Sequence, residues 1–385
     1  LALWKERRGI RTKVVSIADV GASSTKIKKY IRKLRGERLA RLRYVLLLGD
    51  VIAIPTEEVN GATTDHYYYT SKDSPSAPLM PWVSGGRIPV HTAEEATEIV
   101  EQIIRYEKRP PCDSEYYRRM TFAAYFQDYS PKDNKADRAY MKTMEGIREH
   151  MVSLGFDVER VYVSDTKTPA KYIDGTPVPA NVRKAIIDSA AATNALISTT
   201  SEGQLVIAHR DHGGPTGWVH PQFYDTDLKG IRSQYQSMFY SVNCVTGQFD
   251  ANPLDCFAET LLKLDGGAPS LIAATENSGT WRNDSLMKGL FDGMWPGVLP
   301  TFPGTTMSYP IRHNRLGDLL NYAKSYLLVH HGAGGGVKHH FEIYHVVGDP
   351  TLQLWSAPPI SLRLRATVRQ DMLQIRLGHC PDGAV

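Results

Sequence analysis

Cysteine is scarce in this sequence: Cys112, Cys244, Cys256 and Cys380 are the four in 385 residues. So few cannot staple a disulfide scaffold, and with no Cys-x-x-Cys pair the usual zinc and dithiol motifs are excluded. An excess of one charge is also missing, because 45 Lys and Arg face 41 Asp and Glu, a net charge of +4. That balance gives no reason to expect a nucleic-acid or lipid surface. Long apolar runs are absent too. Those present, such as residues 44–48, are strand-sized, so no membrane insertion is expected. There is no Gly-x-Ser-x-Gly elbow, no His-Glu-x-x-His zinc helix and no Rossmann fingerprint. Gly332-Ala-Gly-Gly-Gly336 lacks the Gly-Lys-Ser/Thr ending of a phosphate loop. The opening Leu1-Ala-Leu-Trp-Lys-Glu-Arg-Arg-Gly9 carries charges where a signal peptide needs an apolar core, so the sequence is expected to begin inside a longer precursor.

What is present alternates between short β-branched runs and helical patterns, the signature of an α/β protein with a mostly parallel sheet. Strands are expected at residues 12–17, 43–49 and 86–90, then at 120–126, 160–163, 205–209, 238–242 and 269–274. Thr92 and Glu95 form a capping box for a helix ending at Lys108, with Ala96, Ile99, Val100 and Ile103 on one face and Pro110-Pro111 stopping it. Met141, Met144, Ile147, Met151 and Leu154 recur every three or four residues before Gly155, a packed helix face with methionine as gap-filler. These patterns divide the chain into an N-terminal α/β unit over 1–110 that is expected to lack its first strand, a second over 111–356, and the start of a truncated β domain or tail over 357–385. Residues 360–368 alternate like a strand with too little chain after it to form a sheet.

Two stretches place a reactive side chain directly after a buried-looking strand: Leu205-Val-Ile-Ala-His-Arg-Asp-His-Gly-Gly214 and Met238-Phe-Tyr-Ser-Val-Asn-Cys-Val-Thr-Gly247. In open parallel sheets sites form beyond the carboxyl ends of adjacent strands, so His212 and Cys244 can meet there. A thiolate attacks carbonyls, and an imidazolium beside it favours the thiolate and then protonates the leaving amine. Gly213 and Gly214 would allow close approach of a substrate backbone, and the N–H groups of Gly213 and Cys244 could hold an oxyanion. On residue type alone, however, a small core cysteine and a His-Gly turn account for the same letters.

A resemblance decides between these. The chain is similar to the gingipain family of cysteine peptidases, with a caspase-like fold, through Tyr44-Val-Leu-Leu-Leu-Gly-Asp50, Thr64-Asp-His-Tyr-Tyr68, Gly86-Arg-Ile-Pro-Val90 and Arg105-Tyr-Glu-Lys108. In the second half it resembles the family through His212-Gly, Trp218, Cys244-Val-Thr-Gly-Gln-Phe249, Cys256-Phe-Ala-Glu259 and Gly348-Asp-Pro-Thr-Leu352. The resemblance implies two adjoining α/β/α sandwich subdomains with mostly parallel sheets, the second caspase-like. It implies Cys244 as nucleophile, His212 as acid/base, and an acid orienting the imidazole at Gln127-Asp128. Asp128 is taken for that role because a carboxylate can hold an imidazolium; otherwise it only starts the Asp128-Tyr-Ser-Pro turn. Cys256, following Asn252-Pro253, is expected to pack. Trp281 resembles a tryptophan covering the pocket for the residue before the scissile bond. Asp284, first, and Asp137, second, are candidates for the acid at its base, each equally able to be a loop or capping acid.

The implied activity is a cysteine endopeptidase acting through an acyl-enzyme after Arg or Lys, on protein or peptide substrates, secreted or at the surface of a bacterium. The alternatives are a processing or sortase-like transpeptidase of the same family and a non-catalytic binding relative. No cofactor is required; relatives bind structural calcium, and the acidic loops here offer ligands without naming a site. His209, Asp211, His212 and His220, and His330, His331, His339, His340 and His345, lack recognised metal-ligand spacing and are expected to be turn or surface residues, His212 apart.

Overall fold

The structure is a computed structural model that describes residues 1–36, 42–70, 80–251, 254–302, 312–360, 363–369 and 372–378. Its frame is an eight-stranded sheet in the order Tyr44–Leu48, Ser84–Ile88, Tyr344–Gly348, Ser270–Ala274, Met238–Ser241, Val206–Arg210, Arg119–Phe126 and Asp157–Ser164. The last five strands in that order run parallel to one another. Tyr344–Gly348 is antiparallel to Ser270–Ala274 but parallel to Ser84–Ile88, so the two halves of the sheet point in opposite directions. The two expected α/β units therefore join into one sheet through the Val347 to Arg87 pairing.

Parallel neighbours need crossovers, and the predicted helices supply them. The helix Ala93–Lys108 begins at Thr92, whose side chain accepts from the Glu95 N–H, while the Glu95 carboxylate accepts from His91 N–H, one residue earlier than a capping box requires. Ile99 and Ile103 are buried as the pattern demands. The methionine stripe lies on the helix Tyr140–Ser153 with Met141, Met144, Ile147 and Met151 buried; Leu154, at the C-cap, is exposed. Thr280–Met294 packs between that helix and Leu316–His331, while Ala93–Lys108, Phe257–Lys263, Asp225–Leu228 and Ser189–Glu202 form a second, contiguous helical layer.

Two expectations change. Residues 12–17 form no strand: Val14 is exposed, and Ser16 instead caps the short helix Ile17–Val20 by accepting from Ala18 N–H. With no neighbouring strand to pair against, β-branched letters alone do not make one. The segment Arg363–Arg369 does find a partner, Met372–Gly378, in an antiparallel hairpin. The strand Tyr344–Gly348 was not anticipated, although it is fully buried and joins the halves of the sheet.

That junction holds a buried charge. Arg87 is fully buried and donates from Nε and Nη2 to the two carboxylate oxygens of Asp65, each at 2.7 Å, and from Nη1 to the carbonyls of Gly49 and Ile54. Removing one member of such a pair strands the other charge in low dielectric, so Asp65→Ala is expected to lower stability by about 3 to 5 kcal/mol. Urea unfolding measures this, and a loss below about 1 kcal/mol, the level of an exposed pair, would show that the pair is not what holds the junction.

Candidate active site

Four adjacent parallel strands end side by side, and the loops that leave them carry the reactive groups. Arg119–Phe126 runs into Gln127 and Asp128, Val206–Arg210 into Asp211, His212 and Gly213, Met238–Ser241 into Asn243 and Cys244, and Ser270–Ala274 into Glu276 to Ser278. The His212 and Cys244 turns press together at Gly213. A Cβ there would lie 2.5 Å from the Cys244 carbonyl oxygen and 2.7 Å from Asn243 Oδ1, so only glycine fits. Gly214 has open space around it. Val245, directly after the cysteine, has φ 46°, a conformation β-branched residues avoid and one that costs on the order of 1 to 3 kcal/mol. The strained turn presents Cys244 partly exposed, with Ser278 N–H directed at Sγ from 3.4 Å.

A rigid layer lies beneath. His209 stacks flat on Trp218 at 4.3 Å; its Nδ1 takes a hydrogen bond from Asn243 Nδ2 at 2.7 Å and its Nε2 donates to the His220 carbonyl at 3.1 Å. Burial drives its pKa down to about 3, so this imidazole stays neutral. Asn243 Oδ1 accepts from Thr246, and Trp218 Nε1 donates to Ser241, closing the network that fixes the Cys244 turn. His209 is therefore a core residue and not the turn or surface residue expected. His340 and His345 are buried as well.

The side chain that meets His212 is Gln127, whose Oε1 lies 3.0 Å from Nε2. Asp128 does not meet it: its carboxylate accepts the backbone N–H groups of Asp133 and Asn134, both at 3.1 Å, which makes it the staple of its own turn. Gln127 had been set aside because an amide carries no charge, yet an amide oxygen accepts an imidazole N–H as well as a carboxylate does in geometry. Tyr140 adds a second contact, with its hydroxyl 3.4 Å from Nε2 and its ring edge-on to the imidazole.

Trp281 stands on the first turn of Thr280–Met294, 61% exposed. Asp284, one turn further on, is buried and already paired. Arg210 donates from Nε to its Oδ1 at 2.9 Å, donates to the Thr280 carbonyl, and lies 4.6 Å from the centre of the Tyr140 ring. A neutralised Asp284 is a poor counter-charge for a substrate cation. Asp137, half-buried, accepts Tyr129 N–H on Oδ2 and gives its own N–H to the Gln127 carbonyl, which puts it beside the residue that holds His212. Arg210 was legible only in part: a charged residue ending an apolar strand needs a buried partner, but its identity is not local.

Cys256 is buried at the N-cap of Phe257–Lys263, its N–H bonded to Glu259, and burial pushes its thiol pKa well up. The Asn252-Pro253 pair used to anticipate this lies outside the described residues, as does Cys380. Among the described residues, His91, Asp255 and Glu259 bring ligand atoms within 4.8 Å of one another, a group not anticipated; the Lys263 ammonium, 2.7 Å from Asp255, already balances its charge.

A thiol and an imidazole on adjacent carboxyl ends of such a sheet define the caspase-like class of cysteine peptidases. The chain belongs to peptidase family C25, whose pattern matches residues 1–355. It is 26% identical to Lys-gingipain of Porphyromonas gingivalis over 377 residues, which is 92% of this chain and 20% of that protein. Gingipain R2 of the same organism is 24% identical over 321 residues, 79% of this chain and 39% of that protein. The chain thus spans about a fifth to two fifths of the length of these relatives. The crystal structure of the Arg-specific cysteine proteinase gingipain R shares the fold, with a TM-score of 0.75 at 19% identity, covering 94% of this chain and 76% of that one. The complex of the Porphyromonas gingivalis RgpB pro- and mature domains gives 0.73, also at 19%. No described helix is long and apolar enough to cross a membrane.

Gly213→Ala must push the Cys244 carbonyl away, and a shift of about 1 Å at reacting atoms can cost on the order of 100-fold in rate. Peptide hydrolysis should fall by that order while circular dichroism shows the fold retained; an unaltered rate would mean that the two turns do not constrain each other.

Proposed function

We propose that the chain is a thiol endopeptidase in which Cys244 attacks the peptide carbonyl and His212 carries the proton. The observation that best supports this is the contact of the two turns at Gly213, which brings the only half-exposed thiol at a strand end of the described sheet beside the imidazole loop. With Nε2 engaged by Gln127, Nδ1, which has no hydrogen bond among the described residues, is the nitrogen open to the thiol. The proton moves from Sγ to Nδ1, sulfur bonds to the carbonyl carbon, and the C–N bond breaks as the imidazolium protonates the leaving amine. Water, deprotonated by the same nitrogen, then hydrolyses the thioester and returns the thiol. The Cys244 N–H has no partner among the described residues and, with that of Gly213, would hold the oxyanion.

For specificity we favour cleavage after Arg or Lys with Asp137 as the counter-charge, since it meets no cationic side chain among the described residues while Asp284 is ion-paired with Arg210. The exposed Trp281 ring would add a cation–π contact of about 0.5 to 2 kcal/mol. Protein or peptide substrates and a secreted or cell-surface setting belong to the same proposal. The reaction needs no cofactor, and calcium enters it only as a structural ion held by loop acids.

Cys244→Ala should abolish peptide hydrolysis with the fold retained by circular dichroism, while Cys256→Ala should keep it; the reverse pattern would move the nucleophile to Cys256. In a peptide library, Asp137→Asn should remove discrimination for Arg and Lys worth roughly 3 to 5 kcal/mol, the value of an unpaired buried charge, while a small neutral ester is still hydrolysed. Asp284→Asn should act on melting temperature, because it strands Arg210. A native enzyme that prefers acidic or small residues would rule out the basic subsite and leave the dyad standing.

A further inference from the structure

Asp211, immediately before His212, has a side chain with no solvent exposure, and neither of its carboxylate oxygens receives a hydrogen bond among the described residues. Two imidazoles face it, one near each carboxylate oxygen. His212 Nε2 is 3.8 Å from Oδ1, and His220 Nδ1 is 3.4 Å from Oδ2. Behind His220 the Tyr125 ring stacks at 4.2 Å, and its hydroxyl donates to Asp165. Burial raises the Asp211 carboxyl pKa, and the His220 side chain and the His212 backbone N–H offset only part of that rise. A buried carboxylate in this state is unfavourable unless a cation forms beside it.

We propose that Asp211 is the positioning residue that supplies the negative charge for a protonated His212, while Gln127 supplies only the hydrogen bond. This rests on the Cys244/His212 reading. Gln127 fixes the ring and its tautomer, but a neutral amide cannot compensate an imidazolium. When the thiol proton reaches the ring, the nearest anion other than the thiolate is Asp211. The surrounding groups leave that role to it. Tyr140 faces Nε2 with a neutral hydroxyl, and Arg210 behind its ring is matched by Asp284. His209 is held neutral, Asp128 is turned to the amides of its own loop, and Asp165 is occupied by Tyr125 and the Asp128 N–H. His220 competes for the same carboxylate through its other oxygen.

The test is the pH dependence of kcat/KM on a peptide substrate. A neighbouring carboxylate favours the protonated ring, so in Asp211→Asn the ring should lose its proton at lower pH, moving the alkaline limb down by about one pH unit, a tenfold change in proton affinity. In the double variant Asp211→Asn, Gln127→Glu, a carboxylate meets the same ring nitrogen from position 127, and limb and rate should both return toward those of the native enzyme. A role in packing alone would not respond to charge at position 127. If Asp211→Asn does not fold by circular dichroism, His220→Asn in the otherwise native chain frees the carboxylate for His212 and should move the alkaline limb up. An unmoved limb in Asp211→Asn, a double variant no better than the single, or an unmoved limb in His220→Asn where Asp211→Asn is unfolded, would each overturn the proposal. Failure of the underlying dyad is seen separately, as hydrolysis that survives in Cys244→Ala.

Discussion

The register between the central strands Met238–Ser241 and Val206–Arg210 is the constraint on which the site depends. Ser241 lies opposite His209, so the two chains leave the sheet at the same height and their turns collide unless one lacks a side chain. Gly213 resolves the collision, and Val245 takes up the remaining strain as a positive φ. Strands that are buried on both faces hold such a register firmly, because a one-residue slip would exchange every inward side chain with every outward one. Cys244 is thus placed by backbone geometry, and the polar layer of His209, Asn243, Thr246, Ser241 and Trp218 locks that geometry with satisfied hydrogen bonds.

Several charges within this core are answered by ion pairs. Arg87 meets Asp65, Arg210 meets Asp284, and Lys5 meets both Glu107 and Asp349, each pair buried and each ion answered. Arg210 shows how such pairing redirects function: the acid that sequence placed at the base of a substrate pocket is consumed by an internal cation one strand away. Asp211 differs from these pairs: it is a buried carboxylate flanked by two imidazoles, with no Lys or Arg paired to it among the described residues. On the reading proposed above, this carboxylate finds its counterpart in the protonated form of the neighbouring His212.

The helices and most strands could be read directly because their patterns are local. Apolar spacing of three or four residues on Tyr140–Ser153 and the cap at Thr92 require no knowledge of what they pack against. The strand Tyr344–Gly348 escaped because its place between the two halves is decided by partners remote in sequence, Ile272 opposite Val346 and Arg87 opposite Val347, and the run at residues 12–17 misled because no partner exists for it among the described strands.

At the site, the sequence by itself determined which residues are the candidates for the chemistry. A cysteine and an imidazole after two apolar strands, with Gly213 beside the second, follow from residue type, spacing and the family resemblance. What only the tertiary structure decided is which neighbours serve them. Gln127 and Asp128 are adjacent in the chain, and a single step of backbone rotation sends one to His212 and the other into its own turn. Asp137 and Asp284 look alike as letters, but Arg210 lies beside only one of them. Such choices depend on distances and desolvation between segments remote in sequence, and these exist only once the strands have been brought into register.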